Sequence, residues 1–332
     1  MIGASPIEGL HGRHILVTGA RGFIGGAIVQ RLAATNCTLI RASRTPLPEP
    51  HNNVANVYDL VGNPSDPAFW QQAVTHHRAD LIFHLAGQTS AYVAENDPEF
   101  DRKANVEPMR QLLDAVAASG RVIDILYAGT VTQAGLTEAL PVDENTEDNP
   151  ITVYDNHKLA SEQMLEHAAE SGIVRGTTLR LPNIFGPGTS VGSGDRGVLN
   201  KIIAKALMGA EISCFGDGHE LRDYLFIDDV VEAFVLTSLA MEKASGQHFV
   251  LGTGKGYSLR ETFELVAQHV GNATGTTVSI GRIPWPESAL AIERRNFIAD
   301  SSAIQRVAGW QAQIDLVEGI DCTIAALDHK EN

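Results

Sequence analysis

The sequence predicts an α/β protein: a doubly wound parallel-sheet domain over residues 1–182, then a smaller mixed α/β region over residues 183–322. Three observations carry this. Short β-branched apolar runs alternate with stretches of helical periodicity through the first half of the chain. A glycine-rich turn joins the first apolar run to the first helical stretch. Beyond Asn183 glycine and proline become dense and the regular alternation fades. A chain of 332 residues with 44% hydrophobic and 20% charged residues also buries a sizeable core.

The first strand is His14 to Thr18, and it runs into Gly19-Ala-Arg-Gly-Phe-Ile-Gly25. Phe23 to Ala34 has helical periodicity, and Thr38 to Ala42 is the second strand. Such a strand–turn–helix–strand unit places its two strands parallel, with the helix crossing over the sheet. Asp80 to Leu85 reads as a buried strand, Asn105 to Ser119 as a helix closed by Gly120, and Val122 to Tyr127 as a strand. Tyr154 to Ser171 is a helix stopped at Gly172, and Thr177 to Leu181 is a further strand. The later part holds helices at Val198 to Met208 and Ser258 to Val270, and its segments are free to return to the first sheet. There is no internal repeat.

The formal charge of −15 and the lack of any Lys/Arg-rich run exclude a nucleic-acid footprint, which needs a basic face. They leave room for an anionic small molecule met by a few placed arginines. Met1 to Arg13 carries Glu8 and no apolar core, unlike a secretory leader. No apolar stretch reaches the roughly 18 residues of a membrane span. The three cysteines, Cys37, Cys214 and Cys322, are far apart and form no CxxC pair, so reduced thiols and no metal site are expected. These features together point to the cytoplasm.

In the glycine turn, Gly19 permits the tight exit from the strand. Gly22 removes a side chain where a pyrophosphate would approach the backbone, and Gly25 lets helix and strand pack closely. The helix N-terminus then offers free N–H groups to phosphate. Glycine triplets also occur in ordinary loops, so the strand and helix on either side give this one its Rossmann meaning. Where an NAD enzyme places an acid on the adenosine ribose, this chain reads Arg41-Ala-Ser43-Arg44. Ser43 and Arg44 suit a 2′-phosphate, which favours NADP over NAD; a solvated basic turn is the plainer alternative. Tyr154 and Lys158 stand four apart on a helix and so share a face. An ammonium beside a phenol favours phenolate, an acid/base for a hydroxyl whose carbon exchanges hydride.

With these marks the chain resembles the extended short-chain dehydrogenases/reductases, in particular nucleotide-sugar epimerases, dehydratases and ketoreductases. The resemblance runs from His14 to about Trp310. It rests on Thr18-Gly-Ala-Arg-Gly-Phe-Ile-Gly25, Asp59-Leu60, Phe83-His-Leu-Ala-Gly87, Asn105 and the Tyr154/Lys158 pair. Further on it rests on Leu179-Arg-Leu-Pro-Asn-Ile-Phe-Gly-Pro-Gly188, Phe215 to Asp229, Arg294 to Asp300 and Gly309-Trp310. The resemblance implies that Thr130 bonds the reacting oxygen, Tyr154 is the acid/base, Lys158 tunes it and holds the nicotinamide ribose, and Asn105 steadies the site. Capping is the plainer role for an asparagine there. It implies a cofactor cradle of Gly19, Arg21, Gly22, Phe23, Ile24 and Gly25, with Ser43 and Arg44 at the ribose. Asp59 and Leu60 would be at the adenine, with Ala86, Gly87 and Pro182 beneath the cofactor. Asn183, Arg222 and Arg295 would meet the substrate diphosphate, guanidinium matching phosphate with paired donors; a surface ion pair is the default for Arg222 taken alone. It further implies a homodimer. The helices near Asn105 and Tyr154 carry apolar residues beyond one stripe, namely Met109, Leu112, Leu113 and Val116, then Leu159, Met164 and Leu165.

The chain departs from the family after Thr130, where Val131-Thr-Gln-Ala-Gly135 replaces the usual aromatic-glycine pattern. Dehydratases carry an acid pair directly after the Ser/Thr, and Val131 and Thr132 cannot do that work, which disfavours elimination. The leading expectation is therefore a 4-ketoreductase of a nucleotide-activated hexose. A 4-epimerase is the close alternative, and a dinucleotide-binding regulator without catalysis the distant one.

Overall fold

The computed structural model describes residues 8–48, 53–188 and 197–328. In chain order the first half contains β1 (His14–Thr18), α1 (Phe23–Ala33), β2 (Thr38–Ser43), β3 (Asn56–Val61), α2 (Pro67–Gln71) and β4 (Leu81–His84). It continues with α3 (Ala91–Asn96), α4 (Pro98–Ser119), β5 (Asp124–Thr130), α5 (Val153–Glu170) and β6 (Arg175–Leu181). Then come β7 (Asn183–Phe185), α6 (Val198–Leu207), β8 (Ile212–Phe215), β9 (Leu221–Arg222), β10 (Tyr224–Phe226), α7 (Ile227–Leu239), α8 (Met241–Ala244) and β11 (Gln247–Val250).

The main sheet has seven strands in the order β11-β6-β5-β4-β1-β2-β3. Every neighbouring pair in it is parallel. Strand order reverses between β1 and β4, and ligands of such sheets bind in the crevice outside the strand ends at that point. β11 closes the far edge, so part of the second half of the chain lies in the first sheet.

Alternate residues of each strand face opposite layers. Ile15, Val17, Phe83 and Leu179 pack on α1 and α7 through Ile28, Leu32, Val230 and Phe234. Leu16, Ile40, Ile82 and Ile125 pack on the other layer, through Trp70 of α2, Met109 and Leu112 of α4 and Leu165 of α5. A third cluster, built on Phe185, Ile203, Phe226 and Ile320, holds the C-terminal region together.

Three elements differ from expectation. α4 starts at Pro98, not at Asn105, because the Asp97 side chain caps it by accepting from the Phe100 amide and Pro98 suits the first helical position. β5 continues past Tyr127 to Thr130, pairing with β6 through Thr130 and Leu181. β3 is an edge strand with mostly exposed side chains, so it carries little apolar signal.

The apolar surplus offered as a dimer face is mostly core. Met109, Leu112, Val116 and Leu165 are fully covered by the protomer's own sheet, and Leu113 and Met164 pack partly against the same core. Arg102, Lys103, Arg110, Glu99, Glu107 and Asp114 of α4 form ion pairs with one another instead. Leu113, Leu159 and Met164 are half-buried, so only these three of the seven stay partly exposed on α4 and α5.

Candidate active site

The glycine turn lies at the sheet's switch point. Gly19 has φ +68°, and a β-carbon there would stand 3.0 Å from the Ala86 amide nitrogen at the exit of β4. A β-carbon on Gly25 would stand 2.2 Å from the Gly19 carbonyl oxygen. α1 begins after Gly22 with no side-chain cap on its amides. Thr18 ties the two sides together. Its Oγ1 accepts from the amides of Leu85 and Ala86 (3.0 Å each) and lies 2.9 Å from His84 Nδ1. Gly87 follows, where a β-carbon would meet Asn105 Oδ1 at 2.5 Å. Bare backbone on both sides of the crevice, and uncapped helix amides at its floor, fit a dinucleotide pyrophosphate.

At the end of β2, Ser43 Oγ donates to the Thr45 carbonyl, and Arg21 reaches over from the glycine turn to donate to Thr45 Oγ1 at 2.6 Å. Arg44 is exposed beside them. Asp59 on β3 is held by the buried guanidinium of Arg41, its register partner, at 2.7 Å. That carboxylate is already neutralised by the protein. Leu60 is buried in the core on the α2 side.

Thr130 ends β5 and caps the turn Val131–Ala134, which packs against α5. Tyr154 and Lys158 lie one turn apart near the start of α5, whose N-cap is Thr152. Lys158 Nζ donates to the Ala128 carbonyl at 2.5 Å and sits 4.1 Å over the ring centre of Tyr127. Burial pulls its pKa down to about 7, while Glu162 and Asp101 pull the other way. Beneath it His84 stacks on Tyr127. Burial, and then the charge of Lys158, lower the His84 pKa to about 3, so this imidazole is neutral.

Asn105 is buried on α4. Its Nδ2 donates to the Gln88 carbonyl and to Asp101 Oδ1, while Oδ1 has no partner and faces Gly87. Asp101 also receives Gln88 Nε2 at 2.6 Å and meets His157 Nδ1 at 2.7 Å. His157 precedes Lys158, so this carboxylate clamps α5 to α4 beside the tyrosine–lysine face.

The residues expected at the diphosphate converge. Arg295 donates to Asn183 Oδ1 at 3.2 Å and to the Ile292 carbonyl, leaving its Nε without a partner. Arg222 is buried and turned onto backbone, donating to the carbonyls of Leu221, Glu293 and Arg295. Its first visible role is to hold the segment that carries Arg295. Pro182 joins β6 to β7 just before Asn183. A cavity of about 540 Å³ opens beside Arg294 and Arg295, walled by Leu136, Glu138 and Leu140. Residues 189–196, within the glycine- and proline-dense stretch beyond Asn183, lie outside the described residues.

A family model described as the NAD dependent epimerase/dehydratase family matches residues 15–252. A UDP-glucose 4-epimerase of Mycolicibacterium smegmatis is 30% identical over 321 residues, 95% of this chain and 98% of that protein. The chain belongs to the NAD dependent epimerase/dehydratase family. A dTDP-L-rhamnose 4-epimerase of Burkholderia thailandensis is 28% identical, over 96% of this chain and 95% of that protein. Among solved structures, a UDP-glucose 4-epimerase of Thermotoga maritima, crystallised with UDP-glucose, superposes with a TM-score of 0.84 at 28% identity. That match covers 96% of this chain and 99% of the other. The family is one of NAD-dependent enzymes, so the extended short-chain dehydrogenase/reductase resemblance and the expectation of catalysis both hold. Among the described residues no helix is long and apolar enough to cross a membrane.

Sequence reading missed several residues of the site. Thr18, His84, Asp101 and His157 act through partners far away in the chain. Behind Thr130, Gln133 accepts from the Thr130 amide and donates to Glu162, which pairs with Arg180, itself paired with Asp148. The one available signal was chemical: charged residues inside otherwise apolar strands and helices, such as Arg180, need buried partners.

Proposed function

We propose that this protein is a nucleotide-sugar 4-epimerase, with Thr130, Tyr154 and Lys158 acting on the C4 oxygen of the hexose. The observation that supports it most directly is the shared face of Tyr154 and the buried Lys158 beside the end of β5. The full-length likeness to 4-epimerases favours this over the ketoreductase expected first. A bound nicotinamide supplies the hydride acceptor and donor, and Gly19, Gly22, Gly25, Ala86 and Gly87 would hold its dinucleotide. Tyr154 takes the C4 hydroxyl proton and returns it, Lys158 favours the phenolate, and Thr130 orients the oxygen. Asn183 and Arg295 would receive the diphosphate, on a segment pinned by Arg222.

One observation favours a second reading. Ser43 lies between Arg21 and Arg44 at the end of β2, and no unpaired carboxylate stands there among the described residues. Two guanidinium groups suit NADP(H), the cofactor of a 4-ketoreductase, which releases it at each turnover. A single experiment separates the readings. Incubate the protein with UDP-glucose and with a 4-keto nucleotide sugar, with and without added NADPH. Conversion of UDP-glucose to its C4 epimer without added cofactor supports the epimerase. NADPH oxidation only with the keto sugar replaces it by the reductase.

A further inference from the structure

We infer that Asp155, acting through the Thr132 hydroxyl, sets whether Thr130 donates to or accepts from the reacting oxygen. Three side chains stand in a line. Thr130 Oγ1 is 2.8 Å from Thr132 Oγ1, and Thr132 Oγ1 is 2.5 Å from Asp155 Oδ1. Thr130 is 8% exposed and Asp155 1%, so both ends of the chain are buried, with Thr132 half-buried between them.

Each threonine owns one hydroxyl proton, and that fixes the direction of the chain. An ionised Asp155 can only accept. Thr132 then donates to Asp155, Thr130 donates to Thr132, and Thr130, which also accepts from the Thr132 amide, turns only a lone pair to the substrate. Asp155 protonated on Oδ1 donates to Thr132, Thr132 donates to Thr130, and the Thr130 proton is free for the C4 oxygen. One proton taken from water by Asp155 reverses every bond, and no covalent bond of the substrate breaks in that step.

The surroundings make both states accessible. Burial raises the Asp155 pKa, and its Oδ2 has no partner. Against this work the hydroxyls of Thr132 and Thr152 and the charge of Arg295. Thr152, the N-cap, receives the Asp155 amide on its hydroxyl. From α3, Glu95 is engaged on the Val153 amide, and Gln133 of the turn is spent between Thr130 and Glu162. Tyr154, His157 and Lys158 are the titratable neighbours on α5 itself. Neutralising Arg295 with a diphosphate weakens the cationic charge that favours ionised Asp155. Substrate binding thereby turns Thr130 into a donor, the state that stabilises a C4 carbonyl or oxyanion.

This inference rests on Thr130 being the hydroxyl that meets the C4 oxygen. The test is the pH profile of kcat on the best nucleotide sugar for wild type, Asp155→Asn, Thr132→Val and Thr130→Val, with cofactor binding measured on each as a check of folding. Wild type should show a fall in kcat on the order of 10²-fold as pH rises through the Asp155 ionisation. Asp155→Asn cannot ionise, and Thr132→Val cuts the chain, so both should lose that step and keep the Tyr154 ionisation. Superimposable profiles for the first three proteins, or no falling step in wild type, would overturn the inference alone. So would a step that survives in Thr132→Val, since charge would then act through space. Wild-type turnover in Thr130→Val would overturn the inference together with the reading it rests on.

Discussion

Lys158 Nζ lies 4.1 Å over the ring of Tyr127, deep between β5 and α5, with the Ala128 carbonyl as its hydrogen-bond acceptor. The protein thus keeps an ammonium-forming group where water cannot solvate it. Burial lowers its pKa from 10.5 to about 7, so between these values the unfolded chain binds more protons than the folded one. Stability contributed through this group therefore rises with pH from about 7 towards 10.5.

Lys158→Met should consequently stabilise the free protein near pH 7, by roughly 1–3 kcal/mol, while removing activity. The gain should shrink as pH approaches 10. Urea melts of wild type and variant at pH 7 and pH 9.5 check this. A variant less stable than wild type at pH 7 would show that the contacts of Lys158 outweigh its desolvation.

His84 acts with the same sign at lower pH. Its folded pKa of about 3 lies below the free value of 6.5, because of burial first and Lys158 second. The neutral ring contributes stability that is present above pH 6.5 and lost as pH falls towards 3. His84→Phe should flatten the stability slope between pH 6 and 4 by up to one proton, measured by denaturant melts across that range. An unchanged slope would mean that other groups carry the acid limb.

Tyr154→Phe should lower turnover by about 10²–10⁴-fold with cofactor binding preserved, the usual worth of a positioned acid/base. Thr130→Ser should be mild by comparison. Single-turnover and calorimetric measurements separate the two quantities. Wild-type turnover in Tyr154→Phe would move the search for the acid/base elsewhere.

Arg222→Ala should act in two ways, because the guanidinium is tied to the carbonyls of Glu293 and Arg295. The KM for nucleotide sugar should rise through the loosened Arg295 segment. Stability should also fall by about 1–3 kcal/mol, the cost of leaving buried carbonyls unpaired. A raised KM with an unchanged melt would instead indicate a direct phosphate contact.

Arg21→Ala and Arg44→Ala should each weaken NADP(H) binding by about tenfold, or ~1.4 kcal/mol, and leave NAD(H) within about twofold. Calorimetry with both cofactors at one salt concentration reads this directly. Equal losses for both cofactors would place Arg21 and Arg44 away from a 2′-phosphate.

Local spacing wrote much of this protein plainly. The glycine turn between β1 and α1 followed from three glycines between a β-branched run and a helical period, and the shared face of Tyr154 and Lys158 from four residues of helix. Both are relations within a turn or two of chain, where backbone geometry alone sets direction. The parallel sheet with helices on both faces likewise followed from repeated strand–helix units, whereas its strand order came only with the structure. Other features depended on residues that meet across tens of positions: Thr18 with His84, Asp101 with His157, Arg180 with Glu162 and Asp148. The apolar residues of α4 and α5 looked surplus along the chain and proved to be core, because the sheet they cover is built from distant strands. Arg222 looked free for phosphate and is spent on the Glu293 and Arg295 carbonyls. Periodicity specifies which side of an element is apolar. Packing specifies what lies opposite, and buried polar groups, which must find partners, take them from whichever part of the chain the fold brings within 3 Å.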